Sequence, residues 1–536
     1  FEMGGEISKY MLLFPDPESG KLRLSDYEMS GECAAGTGSF IDQQALRLDY
    51  RVEDIGGLVM ETKRCPTIAG RCSVFAKSDM IHAQQKGYKP PEILKGLCEA
   101  VSRNFKSAIC KGKDIVPPVA FVGGVALNEG IVESLRSLFE LEDDELFVPE
   151  QFAWMGAIGA ARLSAENKSE GIDLAEFDRR RNARKGPAEF PASEPLDLGK
   201  VKLLRDQTKE FVFPEGDGKI DAFLGIDIGS ISTNLVVVDG NGDLVYEIYT
   251  RTRSRPIEVV GEGLLEIERE LGDRINVKAV GTTGSGRELI GELIGADAIH
   301  DEITAHQTGA NAIAGKLLAT KVDTIFEIGG QDSKFIRLQD GIVVDFTMNE
   351  ACAAGTGSFL EERAEELGIQ IKEEFAKLAL KSKRPIRLGE RCTVFIESDV
   401  KHYIKRGAPL EDVVAGLAYS VGYNYINRVV RGRDIGGTIF FQGGTAYNDS
   451  VAAAFSKILD AEIVVPPHNG TVGALGVALL AKEKMDALGW KSTFRGFHLD
   501  EVNFTTKEFT CKACSNFCDI IRFEIEGSPS YWGDRC

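Results

Sequence analysis

AFLGIDIGS, residues 222–230, is an apolar run that breaks into an acidic residue and a glycine turn. A run of this length and content reads as a buried strand, and the glycine lets the following turn approach a ligand closely. FEIGGQDSK at 326–334 and TIFFQGG at 438–444 have the same form. Asp227 and Asp332 mark the first two turns. Backbone N–H groups of such turns cradle phosphate oxygens, and a carboxylate at a strand end holds Mg²⁺ through water. One such turn is ordinary; three in this order, two of them acidic, predict a nucleotide site. Between them the pattern alternates strand and helix. NLVVVDGNGDLVYEIYT (234–250) is a hairpin about its DGNGD turn, VKAVGTTGSGRELIGELI (277–294) is strand, loop and helix, and LEDVVAGLAYSVGYNYINRVV (410–430) has helical spacing. The fold class is α/β.

Outward from these turns the chain repeats itself. GECAAGTGSFIDQQA (31–45) matches NEACAAGTGSFLEERA (349–364), RCSVFAKSD (71–79) matches RCTVFIESD (391–399), and VAFVGGVALNEG (119–130) matches TIFFQGGTAYND (438–449), all at an offset of about 320. FEMGGEISK (1–9) aligns with 326–334, so the first copy has no counterpart of residues 222–325. With no initiator Met, the chain is expected to begin inside its first copy, as a fragment. The predicted organisation is an incomplete repeat (1–163), a polar, proline-bearing linker with one short helix (164–220), a complete repeat (221–485) and a cysteine-containing tail (486–536).

Four cysteines follow the repeat. Cys33 and Cys352 precede AAGTGSF, and Cys72 and Cys392 precede VF; each lies just before a helical pattern, where helix N–H groups favour a thiolate. Cys98 and Cys110 have no partner in the second copy and read as core. Two cysteines per copy cannot complete a four-thiolate site, but four across two copies can. Copies packed about a pseudo-twofold axis would bring Cys33, Cys72, Cys352 and Cys392 to one [4Fe–4S] cluster. Buried free thiols and a Zn(Cys)₄ site are the other readings. Cys511, Cys514, Cys518 and Cys536 form a separate set, a possible second metal site.

The three glycine turns resemble the actin-like ATPase superfamily, and the cysteine motifs resemble the ATP-dependent activators of 2-hydroxyacyl-CoA dehydratases, a group that includes the BadF/BcrA-type ATPase subunits of benzoyl-CoA reductases. The resemblance covers about 1–163 and 222–483, in the manner of long family members with two repeats. It implies an actin-like (ribonuclease-H-like) fold in tandem duplication, the first copy N-terminally truncated. It places ATP and Mg²⁺ with Asp227, Asp332 and Glu302 in catalysis. Gly229, Ser230, Ser232 and Thr233 would form the first phosphate loop; Glu327, Gly329, Gly330, Gln331 and Ser333 the second; Gly443 and Gly444 the adenosine loop. It further implies an ATPase coupled to electron transfer, with a ferredoxin- or flavodoxin-like donor and a dehydratase or reductase component that carries its own iron–sulfur cluster. Arg287 could meet a phosphate, and Glu302 or His306 could orient the attacking water. In the first copy Ile7 stands where Asp332 does, which predicts no hydrolysis there.

Composition narrows the alternatives. The 536 residues carry 63 Lys and Arg against 82 Asp and Glu, a net charge of −19, which argues against bulk nucleic-acid binding. No apolar stretch approaches the ~18 residues of a spanning helix and no signal peptide is visible. The expectation is a cytoplasmic protein with no membrane, and the family resemblance, with its exposed and oxygen-sensitive cluster, implies that this cytoplasm is anaerobic. Two rivals stand beside the activator: an actin-like small-molecule (sugar) kinase, which would have no use for four thiolates, and a non-catalytic nucleotide-binding scaffold or sensor.

Overall fold

The computed structural model describes residues 1–536 except positions 19, 32, 69–71, 86, 168–172, 184–189, 209, 217, 254, 350–351, 490, 500–501, 503, 511–518, 526 and 533–536. The chain divides into two compact units. The first comprises Phe1–Pro195, Ala351–Ile369 and Lys381–Asn424; the second comprises Leu196–Glu350, Gln370–Leu380 and Tyr425–Cys536. Residues 351–369 and 381–424, read in the sequence as part of the second repeat, therefore lie with the first repeat. Among the described residues no helix is long and apolar enough to cross a membrane.

In the first unit β1 (Glu2–Met3), β2 (Ser8–Pro15) and β3 (Leu22–Met29) form an antiparallel sheet, and β4 (Val119–Ala120) pairs in parallel with β5 (Leu146–Phe147). A parallel bridge between Glu2 and Val122 links the two. The core lies behind them. The helix Pro90–Asn104 starts on a proline, with Glu92 accepting from the Lys89 N–H at 2.8 Å, and turns Ile93, Leu97 and Val101 inward at helical spacing. These pack with Phe40, Phe105 and Phe121. Cys98 and Cys110 are buried there, as their unpartnered positions in the repeat predict.

The second unit holds two larger sheets. In chain order its strands are β6 (Val201–Leu203), β7 (Ile220–Ile228), β8 (Ser232–Asp239), β9 (Leu244–Arg251), β10 (Ile275–Thr283), β11 (Ala298–Ile299), β12 (Thr324–Ile328), β13 (Ser333–Gln339), β14 (Ile342–Asn349), β15 (Ile439–Gln442) and β16 (Ile463–Val465). The first sheet has the order β11-β10-β7-β8-β9 and the second β14-β13-β12-β15-β16-β6. Each is an antiparallel three-strand meander whose first strand takes on parallel neighbours. This twice-used topology is the ribonuclease-H-like half of an actin-like fold. The central strands β7 and β12 are buried on both faces, which is why they read as unbroken apolar runs. Part of the predicted linker is structural: Leu174–Ala183 is helical, and the short segment Val201–Leu203, its two apolar residues flanking Lys202, becomes the sheet edge beside β16.

The helix Val472–Leu488 packs against β7, β8 and β10 and against the helix Glu302–Leu318. Small residues make this possible; a Cβ on Gly476 would sit 1.8 Å from the Ala305 carbonyl. The contact fixes the start of Glu302–Leu318 beside the end of β7. The tail forms a small antiparallel sheet, β17 (Phe504–Thr510), β18 (Asp519–Ile525) and β19 (Ser528–Trp532). Cys511, Cys514, Cys518 and Cys536, read as a possible metal site, lie outside the described residues.

Candidate functional site

Two tight hairpins build one wall of a cleft of about 300 Å³ in the second unit. At the end of β7 the Gly229 N–H donates to the Ser232 carbonyl (2.9 Å), and at the end of β12 the Gly329 N–H donates to the Asp332 carbonyl (3.1 Å). The hairpins face each other closely: a Cβ on Gly330 would meet Ile231 at 2.7 Å. The third turn closes the far side. Gly443 takes φ +90, and a Cβ there would meet the Glu327 carboxylate at 2.5 Å, so only glycine fits.

Of the residues predicted from sequence, Asp227, Gly229, Ser230, Ser232, Glu302, Glu327, Gly329, Gly330, Gln331, Asp332, Gly443 and Gly444 line this cleft. Thr233 and Ser333 do not. Both are fully buried, Thr233 as the second residue of β8 and Ser333 as the first of β13, where strand alternation turns them away from the cleft. Thr233 meets the Thr252 hydroxyl at 3.0 Å, and the Ser333 hydroxyl has no partner. Arg287 is not among the lining residues. Its guanidinium donates to the Gly284 carbonyl at 3.1 Å and pairs with Glu288 at 3.5 Å.

The centre of the cleft is a residue that sequence reasoning passed over. The Lys334 ammonium, 3% exposed, sits 2.5 Å from Glu302, 2.6 Å from Asp332 and 3.1 Å from Glu327. Burial alone would lower its pKa, but Glu327, Asp332 and Glu302 together hold it charged, well above the ordinary lysine value. Asp227 lies beside this group, held by Asn234 and closed in by Gly284 and Gly473. Burial, reinforced by Glu302, raises Asp227 to about 7; burial likewise raises Glu327 to about 8. His306 is neutral, its pKa lowered to about 3 by burial and Lys334, and its Nδ1 lies 2.9 Å from the Gln442 amide nitrogen. Four carboxylates therefore surround one ammonium. That excess of hard oxygen donors is the chemistry a hydrated Mg²⁺ requires. The buried Asn234 Oδ1 and Ser333 Oγ, both without partners, add unfilled polar capacity around the hairpins. The one signal for Lys334 in the sequence was its recurrence as Lys9, which keeps the equivalent pair with Glu2 at 2.8 Å while Ile7 stands half-exposed in place of Asp332.

All four repeat cysteines lie in the first unit. The Cys33 thiol donates to the Cys392 sulfur, which pushes Cys33 up and holds Cys392 down to about 6. Burial raises Cys72 to about 12, and Cys352 lies within electrostatic reach of both Cys33 and Cys72. The backbone contacts are reciprocal. The Cys392 sulfur accepts from the Ala34 N–H of the first copy and from the Val394 N–H of its own helix; the Cys72 sulfur accepts from the Ala353 N–H of the second copy and from its own Val74 N–H. Apolar contacts follow suit, with Cys392 and Val394 packed on Ala34, and Cys72 and Val74 packed on Ala353. Among the described residues, no group of three or more His, Cys, Asp or Glu side chains is spaced to hold a single metal ion. A lone Zn²⁺ draws its sulfurs in to about 2.3 Å; an iron–sulfur cubane carries its thiolates further apart. The donor set, four thiols with amide N–H groups on two of their sulfurs, is of the type that holds such a cubane.

The model of the BadF/BadG/BcrA/BcrD ATPase family matches the chain over residues 20–164 and again over 224–481. An uncharacterized protein of Methanocaldococcus jannaschii is 34% identical over 261 residues, covering 48% of this chain and 61% of its own length. The (R)-2-hydroxyglutaryl-CoA dehydratase activating ATPase of Acidaminococcus fermentans is 34% identical over 49% of this chain and 97% of its own. A solved structure, the activator of the 2-hydroxyisocaproyl-CoA dehydratase from Clostridium difficile with bound ADPNP, aligns with a TM-score of 0.45 at 30% identity over 50% of this chain and 97% of its own.

Proposed function

Since the chain belongs to the BadF/BadG/BcrA/BcrD ATPase family, we propose that it is an ATP-driven activator that delivers a low-potential electron to a 2-hydroxyacyl-CoA dehydratase or related reductase component. That component carries its own iron–sulfur cluster, and a ferredoxin- or flavodoxin-like protein supplies the electron. Cys33, Cys72, Cys352 and Cys392 would hold a [4Fe–4S] cluster, which when bound serves as a one-electron store. The observation that carries the reading is the reciprocal cysteine arrangement in a chain with an ATPase-family cleft.

The cleft residues divide the work of hydrolysis. Asp227 and Asp332 would hold a hydrated Mg²⁺, which when bound supplies charge neutralisation at the phosphates, and Lys334, kept charged by its neighbours, meets phosphate oxygens. Glu302, at the start of its helix, orients the attacking water, with neutral His306 behind it. The two hairpins and the Gly443–Gly444 turn fix the phosphates and the adenosine. Catalysis here is positioning and electrostatics. The route from cleft to cysteines is covalent, because the chain crosses between the units at 195/196, 350/351, 369/370, 380/381 and 424/425. At the last crossing the buried Tyr425 hydroxyl donates to the Lys334 carbonyl at 2.7 Å. A nucleotide that shifts Lys334 thereby biases the helix Leu410–Tyr425, a population shift between two states.

The test is anaerobic purification with iron and sulfide counting. About four irons per chain, lost in Cys352→Ser, support the reading. Zinc in place of iron, or iron unchanged in the variant, overturns it. ATP hydrolysis abolished by Asp332→Ala, with iron retained, separates the two sites.

A further inference from the structure

The helices that follow the cysteines carry a second pattern in the first unit. The helix Gly38–Arg47 of the first copy faces Thr393–Lys405 of the second, and Ser73–Gln85 of the first faces Gly357–Glu366 of the second. Charges meet across both contacts. Arg47 pairs with Glu362, Gln43 donates to Glu397, and Lys77 sits 2.7 Å from Glu365. Arg363, 1% exposed, braces the second-copy side at 2.9 Å from Glu397, 3.0 Å from Glu366 and 3.1 Å from Glu362.

Aligned on the repeat, Gln43, Gln44, Leu46, Arg47 and Lys77 correspond to Glu362, Arg363, Glu365, Glu366 and Glu397. The first set carries two positive charges and no negative one; the second carries four negative charges and one positive. A symmetric pair of second copies would put Glu366 where Arg47 meets Glu362, Glu397 where Lys77 meets Glu365, and Glu362 where Gln43 meets Glu397. All three would be carboxylate against carboxylate, each involving Glu362 or Glu397, side chains under 10% exposed. A symmetric pair of first copies would set Arg47 and Lys77 against Gln43 and Leu46, with no anion for either. Repulsion of this kind at a buried contact discriminates between partners more than attraction does.

We propose that these charges are a pairing code: the first repeat fits the second and rejects a like copy, so the two cysteine-bearing lobes close on each other within one chain and not as a symmetric dimer of two chains. The backbone and cysteine contacts of the two lobes are reciprocal, while the charges around them are not, and the asymmetry lies where a like pair would clash. The inference stands on the helix contacts and does not depend on which metal the cysteines hold.

The test exchanges the code in the full chain. A half-swap writes the second-copy residues into the first (Q43E, Q44R, L46E, R47E, K77E). A full swap adds the first-copy residues to the second (E362Q, R363Q, E365L, E366R, E397K), restoring complementarity in mirror image. The readouts are mass by light scattering and amide exchange in the four helices, neither of which requires iron. The expected result is a monomeric wild type, at least about tenfold faster exchange in the half-swap, and a return to within about threefold of wild type in the full swap. Unchanged exchange in the half-swap, or a full swap as loose as the half-swap, overturns the proposal. If the half-swap fails to fold, a folded, monomeric full swap upholds the code and a full swap that also fails to fold refutes it.

Discussion

Lys334 shows how one buried charge organises its neighbours. Three carboxylates within 3.1 Å stay close only because an ammonium lies among them. Lys334→Ala would leave Glu302, Glu327 and Asp332 facing one another, and breaking a buried ionic group in this way costs about 3–5 kcal/mol. Denaturant unfolding should show that loss, and adding Glu327→Gln should recover part of it. The pH dependence has a definite sign. Glu327 is raised to about 8 even with Lys334 present. Without the ammonium Glu327 holds its proton still more tightly in the folded chain, so the deficit grows as pH rises through about 8 and shrinks as it falls below that. A deficit that narrowed with rising pH would contradict this account. The residue was hard to read in the sequence for a physical reason. A lysine just past a hairpin in a strand alternates like any other side chain, and nothing local says that three acids from β12, a loop and a helix converge on it. Thr233 and Ser333 err the other way, since their hydroxyls suit phosphates but strand alternation buries them.

The elements place the site by simple devices. Asp301 caps the helix Glu302–Leu318, its side chain accepting from the Thr304 N–H at 3.0 Å. That helix delivers both Glu302 and His306 to the cleft. Burial works to raise the Asp301 carboxyl, but the hydrogen bonds from Thr304 win and hold it below the ordinary aspartate value. Asp301→Ala should cost about 1 kcal/mol and loosen Glu302, read as a fall in ATP turnover with little change in nucleotide affinity. Asp301→Asn keeps a good cap and should stay within a few tenths of a kcal/mol near neutral pH. Because the folded pKa is depressed, the wild-type contribution is present above the unfolded value and is lost as pH falls through the folded one. The asparagine variant should lack that acid limb in a plot of stability against pH, and an unchanged limb would show that Asp301 is not its source. Elements of this kind were legible: glycine turns, apolar strands and capped helices are local, and the alternating pattern carried the fold class. The charges of the pairing code were present in the aligned repeats but mute, because which glutamate meets which arginine depends on packing that no single helix specifies.

At the scale of the whole chain the question is how a nucleotide in one unit reaches thiols in the other. The chain crosses between them five times, and the crossing at 424/425 falls where the helix Leu410–Tyr425 ends and a short π-helical turn, Ile426–Val430, begins. Tyr425 is fully buried, packed 5.0 Å from the Phe326 ring and 5.4 Å from the Phe455 ring, with its hydroxyl on the Lys334 carbonyl. The same residue thus touches the cleft strand and ends a helix whose remainder belongs to the cysteine-bearing unit. Tyr425→Phe removes the hydroxyl and keeps the packing, so the fold should lose only about 1 kcal/mol. Coupling should suffer more than chemistry. ATP hydrolysis should stay within about twofold, because no cleft side chain changes, while a lost coupling of about 1 kcal/mol lowers the electrons delivered per ATP about fivefold. The measurement is acceptor reduction against phosphate release in the same anaerobic sample. Equal losses in both would place Tyr425 in the hydrolytic machinery, and no loss in either would send the coupling through one of the other four crossings.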